Sequence, residues 1–396
     1  MRVAQWRYTM AGGWVSAAPA AAPEPSPATS PTTSPVIPPI APQLVLAFGS
    51  GPPLAGPAPL AELAARLPGA LLVGCSTAGE ICDTRVADDT LVATAVELAA
   101  GRVHGAFRDL PTPGASAEAG EQLGRELAAV ADLAHVLVLS EGVRVNGSAL
   151  VAGLAHALPP GVTVTGGLAA DGPRFARTSV IWRGEVRERG VVAVGLAGPG
   201  LVTGCGSLGG WDPFGPERLI TRARANVLYE LDGHSALELY RRYLGEHAAG
   251  LPATGLFFPL AVRAGRDETA VVRTILAVDE SEQSITFAGE MPEGARARFM
   301  KANSDRLIDG ATDAALTCHR ALASAPAELA LLVTCVGRRM VLDQRVEEEL
   351  EAVRQVLGPS PALTGFYSYG EISPFNPAER CELHNQTMTV TTLRER

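Results

Sequence analysis

The sequence predicts an α/β protein built from two related halves of β-α-β units, with mixed, largely parallel sheets and a Pro-rich flexible segment ahead of them. Three observations carry this. Short, almost wholly apolar runs recur (QLVLAF at Gln43–Phe48, HVLVL at His135–Leu139, LALLVTC at Leu329–Cys335). Each is followed by apolar residues at helical spacing and then by a second apolar run. Continuous apolar strands alternating with amphipathic helices are the pattern of a sheet buried on both faces. With 396 residues, 47% of them hydrophobic, the chain has material for two or three domains at roughly 150 residues each.

Residues 3–14, with Trp6, Tyr8 and Trp14, read as a strand docking onto the main body. Residues 19–42 hold nine prolines, six Ser or Thr and one charge, Glu24. Such a stretch cannot donate backbone hydrogen bonds regularly, so it reads as an extended linker. The domain boundaries expected are 1–42 for strand and linker, 43–228 for an amino-terminal domain and 229–396 for a carboxyl-terminal one.

In the first unit Leu60, Leu63 and Leu67 mark the helix, and Ala70–Val73 the second strand, which runs into GCSTAGEI (Gly74–Ile81). The second unit has Leu150, Leu154 and Leu158, then Val162–Thr165 and the loop GGLAADG (Gly166–Gly172). In the third, Val346, Leu350, Val353 and Leu357 lead to Gly358-Pro359, a helix-ending pair, and the closing strand opens into GFYSYGEI (Gly365–Ile372). Further strands are expected at Val191–Leu196 and Thr269–Asp279. Helices are expected near Ser235–Leu244, and after a cap at Asn303 or Ser304 with Leu307, Ala311, Ala315, Cys318 and Leu322 inward.

GCSTAGEI and GFYSYGEI share Gly74/Gly365, Gly79/Gly370, Glu80/Glu371 and Ile81/Ile372, which favours two related halves. A right-handed crossover makes the two strands of each unit parallel and sets their following loops side by side at the carboxyl edge, where ligands of open α/β sheets bind. Gly49-Ser50 should then lie by Gly74–Glu80, Ser140–Asn146 by Gly166–Gly172, and Val336–Arg339 by Gly365–Glu371.

Several residues there have chemistry to offer. Glu80 and Glu371 either accept bonds from a ligand amine or cap local backbone donors. Arg338, and less so Arg339, suits a bidentate bond to a carboxylate, against a bland reading as solvated arginine. Tyr367 and Tyr369 form either an aromatic wall or core. Cys75 stands where a nucleophile would, but no histidine occupies a matching loop and Phe366 takes its place in the third unit. Cys381-x-x-His384 is a lone half-site without a second pair, so no metal is expected, and no cofactor fingerprint such as GxxxxGK[ST] occurs.

Net charge is −9, which argues against a nucleic-acid partner. No apolar run approaches the 18 residues of a spanning helix, so membrane insertion is not expected. Six scattered cysteines (Cys75, Cys82, Cys205, Cys318, Cys335 and Cys381) fit a reducing compartment and hence a cytoplasmic protein.

GCSTAGEI after a strand, ELDG (Glu230–Gly233) before a helix, LLVTCVGRR (Leu331–Arg339) and the closing GFYSYGEISP (Gly365–Pro374) together resemble the FIST family, which pairs a FIST N-terminal with a FIST C-terminal domain. QWRYTMAGGW (Gln5–Trp14) and GWDPFG (Gly210–Gly215) are similar to it too. The resemblance implies a sensory module for a small-molecule ligand, an amino acid or other small carboxylate, acting through a separate signalling protein partner. By motif match it implies ligand-binding roles for Gly74, Cys75, Ser76, Gly79 and Glu80, and for Arg338, Tyr367, Ser368, Gly370 and Glu371. The Pro-rich insert departs from the family's more ordered amino-terminal segment. A protein-interaction scaffold, and an enzyme using Cys75 for acyl transfer or hydrolysis, are the rival readings; the lack of a catalytic constellation favours a non-enzymatic module.

Overall fold

The computed structural model describes residues 1–17, 40–265, 269–375 and 380–396; the expected linker of residues 19–42 lies, but for its last three residues, outside them. Mixed sheets carry the fold, each of three holding one parallel strand pair. Leu44–Gly49 and Leu71–Ser76 pair around helices Gly51–Ala55 and Ala58–Arg66. Leu133–Ser140 and Thr163–Leu168 pair around Gly147–Ala157. Leu329–Cys335 and Ala362–Ser368 pair around Val336–Leu342 and Val346–Leu357. Each pair is flanked by one antiparallel strand on the outside of its first member: Leu91–Glu97, Gly190–Ala197 and Met388–Glu395.

The other flank is exchanged cyclically. Glu80–Cys82, which follows the first unit, pairs with the third unit's Ala362–Ser368. Gly370–Ser373, which follows the third, pairs with the second unit's Thr163–Leu168. Val180–Trp182, which follows the second, returns to the first unit's Leu71–Ser76. Three interlocked units, rather than two halves, are what this connectivity displays, and the physical reason is plain in the register. Strands of three or four residues cannot stand alone, so each unit completes its neighbour's sheet.

The inner faces of the three sheets meet in one apolar cluster that includes Leu46, Phe48, Leu137, Leu139, Leu331, Val333 and Phe366, with the rings of Phe48 and Phe366 4.7 Å apart. The outer faces carry the helices: Leu60 and Leu63 pack with Val45 and Ala47, while Leu150, Leu154, Leu350 and Val353 pack with Val136, Val138, Ala330 and Leu332. Burial on both faces is why these strands read as unbroken apolar runs. Asn146 and Asn303 cap their helices, each accepting backbone N–H bonds through its side chain. The helix Ser304–Ala321 buries Leu307, Ala311, Ala315 and Cys318 as its periodicity predicts.

Other expectations are refined. Residues 3–14 form a hairpin, Arg2–Thr9 with Gly13–Ser16, and its first strand pairs with Leu91–Glu97. Thr269–Asp279 divides into Val271–Arg273 and Ile275–Asp279. Both belong to an eight-stranded antiparallel sheet with Asp212–Arg224, Val227–Leu231, Leu260–Arg263, Ser284–Phe287 and Arg296–Lys301 in it. Residue 228, the expected boundary, falls inside the strand Val227–Leu231.

Gly74, Gly166 and Gly365 occupy the same register position in the three units, opposite Ala47, Val138 and Leu332. A Cβ there would stand 1.6, 1.9 and 1.8 Å from the carbonyl oxygen of that neighbour, so only glycine lets the strands approach. Gly365→Ala is accordingly expected to destabilise by more than about 3 kcal/mol, read as a lowered midpoint in urea unfolding; a loss below about 1 kcal/mol would contradict the close approach.

Candidate ligand site at the carboxyl rim

The strand ends lie as the crossover geometry requires. Gly49 is the register partner of Ser76, Ser140 of Leu168, and Cys335 of Ser368. The loops also grip one another: Ala78 N–H donates to the carbonyl of Tyr367 at 2.9 Å, Tyr369 N–H to that of Leu168 at 3.2 Å, and Ala170 N–H to that of Ser76 at 2.9 Å. These three bonds join equivalent positions and close a ring of backbone contacts around the rim.

The two Gly-Glu-Ile loops build the same cage. One Glu80 oxygen accepts from Thr77 Oγ1 at 2.5 Å; the other accepts from Thr90 N at 3.2 Å and Thr90 Oγ1 at 2.8 Å. Glu371 accepts from Ser368 Oγ at 2.6 Å, and from Thr387 N and Oγ1 at 3.1 and 3.0 Å. Both carboxyls are fully buried. Burial pushes Glu80 up to about 7 and Glu371 to about 8, partly opposed by those hydrogen bonds. In the second unit Val180 takes the equivalent strand position, and Glu141 supplies a carboxylate from the neighbouring strand end. It accepts from Val143 N, Arg144 N and Thr178 Oγ1.

Arg338 points inward. Its Nε and Nη2 donate to Glu349 at 3.1 and 2.7 Å, Nη2 also reaches the Leu307 carbonyl at 2.8 Å, and Nη1 donates to the Gly209 carbonyl. Tyr367 donates its hydroxyl to the same Glu349 at 2.6 Å. These groups join a strand, three helices and the loop at Gly209, and leave Arg338 no face toward solvent. Tyr369 donates its hydroxyl to Asp171 and stacks on Phe175 at 4.1 Å. Cys75 is fully buried in the inner core, and burial pushes its thiol well above the usual range; a thiolate nucleophile needs the reverse. Ser76 Oγ accepts from Ser179 N at 3.0 Å, and Gly370 pairs with Leu168.

What opens to solvent is a cleft of about 560 Å³ where the first and third units meet, lined by Ser50, Thr77, Asp88, Asp89, Arg174, Arg339 and Asp343 among others. Arg339 spans it. Nη1 and Nη2 grip Asp88 at 2.7 and 2.6 Å, Nη1 also donates to the Ala78 carbonyl, and the guanidinium lies 5.5 Å from the Tyr367 ring centroid. Gly79, at φ +134°, makes room: a Cβ there would sit 2.5 Å from Arg339 Nη1. Arg174 has 63% of its side chain exposed and stands 3.7 Å from Asp171. Of the expected residues, Gly79 and Tyr367 touch this guanidinium, while Gly74, Cys75, Ser76, Glu80, Arg338, Ser368, Gly370 and Glu371 shape the loops from within. Sequence reasoning passed over Asp88, Asp89 and Arg174; the Arg339–Asp88 contact joins residues 251 positions apart. Among the described residues no group of three His, Cys, Asp or Glu is placed to hold a metal, and no helix is long and apolar enough to cross a membrane.

Comparison with known proteins adds the family relation. A family model for the FIST N domain matches residues 43–234, and one for the FIST C domain matches residues 236–374. Uncharacterized proteins from two strains of Mycobacterium tuberculosis are each 28% identical over 231 residues, covering 54% of this chain and 57% of theirs; the match thus spans little more than half of those relatives. Solved structures aligned with the chain include a cyanuric acid hydrolase from A. caulinodans (12% identity, 75% of this chain and 99% of that one) and PurLQS from Thermotoga maritima (9% identity, 81% and 74%). Both have a TM-score of 0.18, too low to argue from.

Two outcomes follow from the buried charges. Arg338→Met strands Glu349 and is expected to cost about 3–5 kcal/mol, while Arg338→Met combined with Glu349→Leu should lose less; equal or larger loss in the double variant would sink the pairing. Glu80 and Glu371, raised above their usual 4.5, keep protons in the folded chain that the unfolded chain has released. Their contribution to stability is therefore full below pH 4.5 and disappears as pH rises through 7 and 8. His135 and His384, lowered to about 4 by burial, act on the acid side of this window. Urea unfolding should show stability falling from about pH 6.5, above which the unfolded histidines no longer offset the carboxyls, to about pH 8, less steeply in Glu371→Gln; an unchanged slope in the variant would refute this.

Proposed function

The chain belongs to the FIST family, a FIST N domain followed by a FIST C domain, and from that premise we propose that it is a cytoplasmic sensor whose rim cleft binds an amino acid or a similar small carboxylate. FIST domains are sensory domains for small ligands. The observation that carries the reading is the cleft itself, where two guanidiniums, Arg174 and Arg339, stand among three carboxylates, Asp88, Asp89 and Asp343. Opposed charges in one small concavity suit a zwitterion: a ligand carboxylate meets Arg174 in fork geometry, and a ligand ammonium meets the aspartates. The cleft size falls within the usual range of roughly 300–1,000 Å³ for ligand pockets.

Arg339 gives binding a route outward. It belongs to the third unit and holds the first unit's loop at Ala78 and Asp88, so a ligand that shares Arg339 with Asp88 alters the grip between units. A separate partner protein reads that change. All six cysteines are unpaired, in keeping with a reducing compartment.

A thermal-shift panel of the common amino acids and small organic acids tests the proposal on the full chain. A true ligand at 100 times its Kd should stabilise by about 2.7 kcal/mol, and Arg174→Ala, at an exposed position, should weaken it at least about tenfold, the cost expected for a charge-assisted bond. No shift from any compound, or a shift indifferent to Arg174→Ala, would remove this cleft as the sensor site.

A further inference from the structure

A larger cleft, of about 1,090 Å³, shares no lining residue with the rim cleft and lies between the helix Gly147–Ala157, the strands Leu260–Arg263 and Val271–Arg273, and the strand Glu382–His384. Val151, Ala155, Leu158, Val162, Val262 and Val271 give it an apolar wall. Arg273 breaks that pattern. The residue is only 6% exposed, yet its guanidinium is held by neutral groups: Nη1 donates to the Leu383 carbonyl at 2.8 Å and Nε to the Glu290 carbonyl at 3.3 Å. Among the described residues Nη2 has no hydrogen-bond partner and no carboxylate forms an ion pair with this guanidinium. Glu382 and Glu290 act on it only at a distance, and burial brings its basicity down to about 10. Arg338, also buried, shows the contrast, since Glu349 meets it at 2.7 Å.

Ser148 lines the cleft, and its hydroxyl oxygen is buried with no hydrogen-bond partner among the described residues. Buried cations and hydroxyls are costly unless paired. Here Arg273 lines a space large enough for a guest, and an anion completes what the described residues leave open. The charge balance narrows that anion. Arg273 and Arg380 on the lining are matched in number by Glu290 and Glu382, so the cleft holds little excess charge and suits a monoanion better than a phosphate.

We propose that this cleft binds a medium-chain carboxylic acid, its carboxylate on Arg273 and its hydrocarbon body along the wall from Val151 to Leu158. One charged anchor in an otherwise apolar concavity is the usual division of labour in a small-molecule site. The site is separate from the rim, and its ligand is amphipathic where the rim's is polar throughout, so it gives the chain a second input.

Isothermal titration of the full chain tests this with three probes: octanoate, octan-1-ol and inorganic phosphate. Octanoate is expected to bind, octan-1-ol at least about tenfold more weakly because it lacks the charge, and phosphate not at all. Arg273→Gln should bring octanoate down to the level of the alcohol. Because Arg273 also holds Leu383 and Glu290, Ala155→Trp provides the control: it fills the cleft from a half-buried helix position and should abolish octanoate binding in a folded protein. Equal binding of acid and alcohol, phosphate binding competitive with octanoate, octanoate binding that survives Ala155→Trp, or no octanoate binding would each overturn the proposal.

Discussion

Three backbone hydrogen bonds hold the centre of this protein: Ala78 to Tyr367, Tyr369 to Leu168, and Ala170 to Ser76. Each ties the loop of one β-α-β unit to the last strand of another, and together they run once around the rim. The short strands that follow these loops then fill the open edge of the neighbouring sheet. Exposed strand edges invite wrong pairing, and here every parallel pair has its edge covered by chain from elsewhere. The arrangement makes the three units mutually dependent, although the second ends at Leu168 and the third begins only at Leu329.

Buried polar chemistry follows from that ring. Loops that turn sharply between sheets leave backbone N–H groups and hydroxyls inside, and these need acceptors. Glu80 and Glu371 provide them in matching cages, Thr77 and Thr90 around the one, Ser368 and Thr387 around the other. Glu141 does the same work in the second unit from a different position. The shared Gly-Glu-Ile motif is thus tied to loop architecture, and the carboxyl groups are turned away from solvent.

The contrast between two adjacent arginines separates structure from site. Arg338 meets Glu349 inside the third unit and the carbonyls of Leu307 and Gly209 beside it. Arg339, one residue on, faces the cleft and reaches across to the first unit. Helical geometry turns successive side chains by about 100°, which is enough to send one inward and the other to the surface.

Much of the fold was legible from periodicity. The apolar strands, the helix after Asn303, the stop at Gly358 and the parallel pairing in each unit are local patterns, and crossover handedness then fixes which loops share an edge. The likeness of residues 74–81 to 365–372 was legible as well, but it suggested two halves, because the second unit places its carboxylate at Glu141 and lacks the motif. What no local pattern could reveal is which sheet each short strand joins, or which arginine finds a carboxylate. Glu80–Cys82 reads the same whether it pairs nearby or with Thr364–Phe366, and Asp88 gains its meaning only from Arg339. Composition and spacing determine elements because those depend on neighbours in the chain; the cleft and its charges were decided by tertiary structure, because their partners are brought together only when the ring closes.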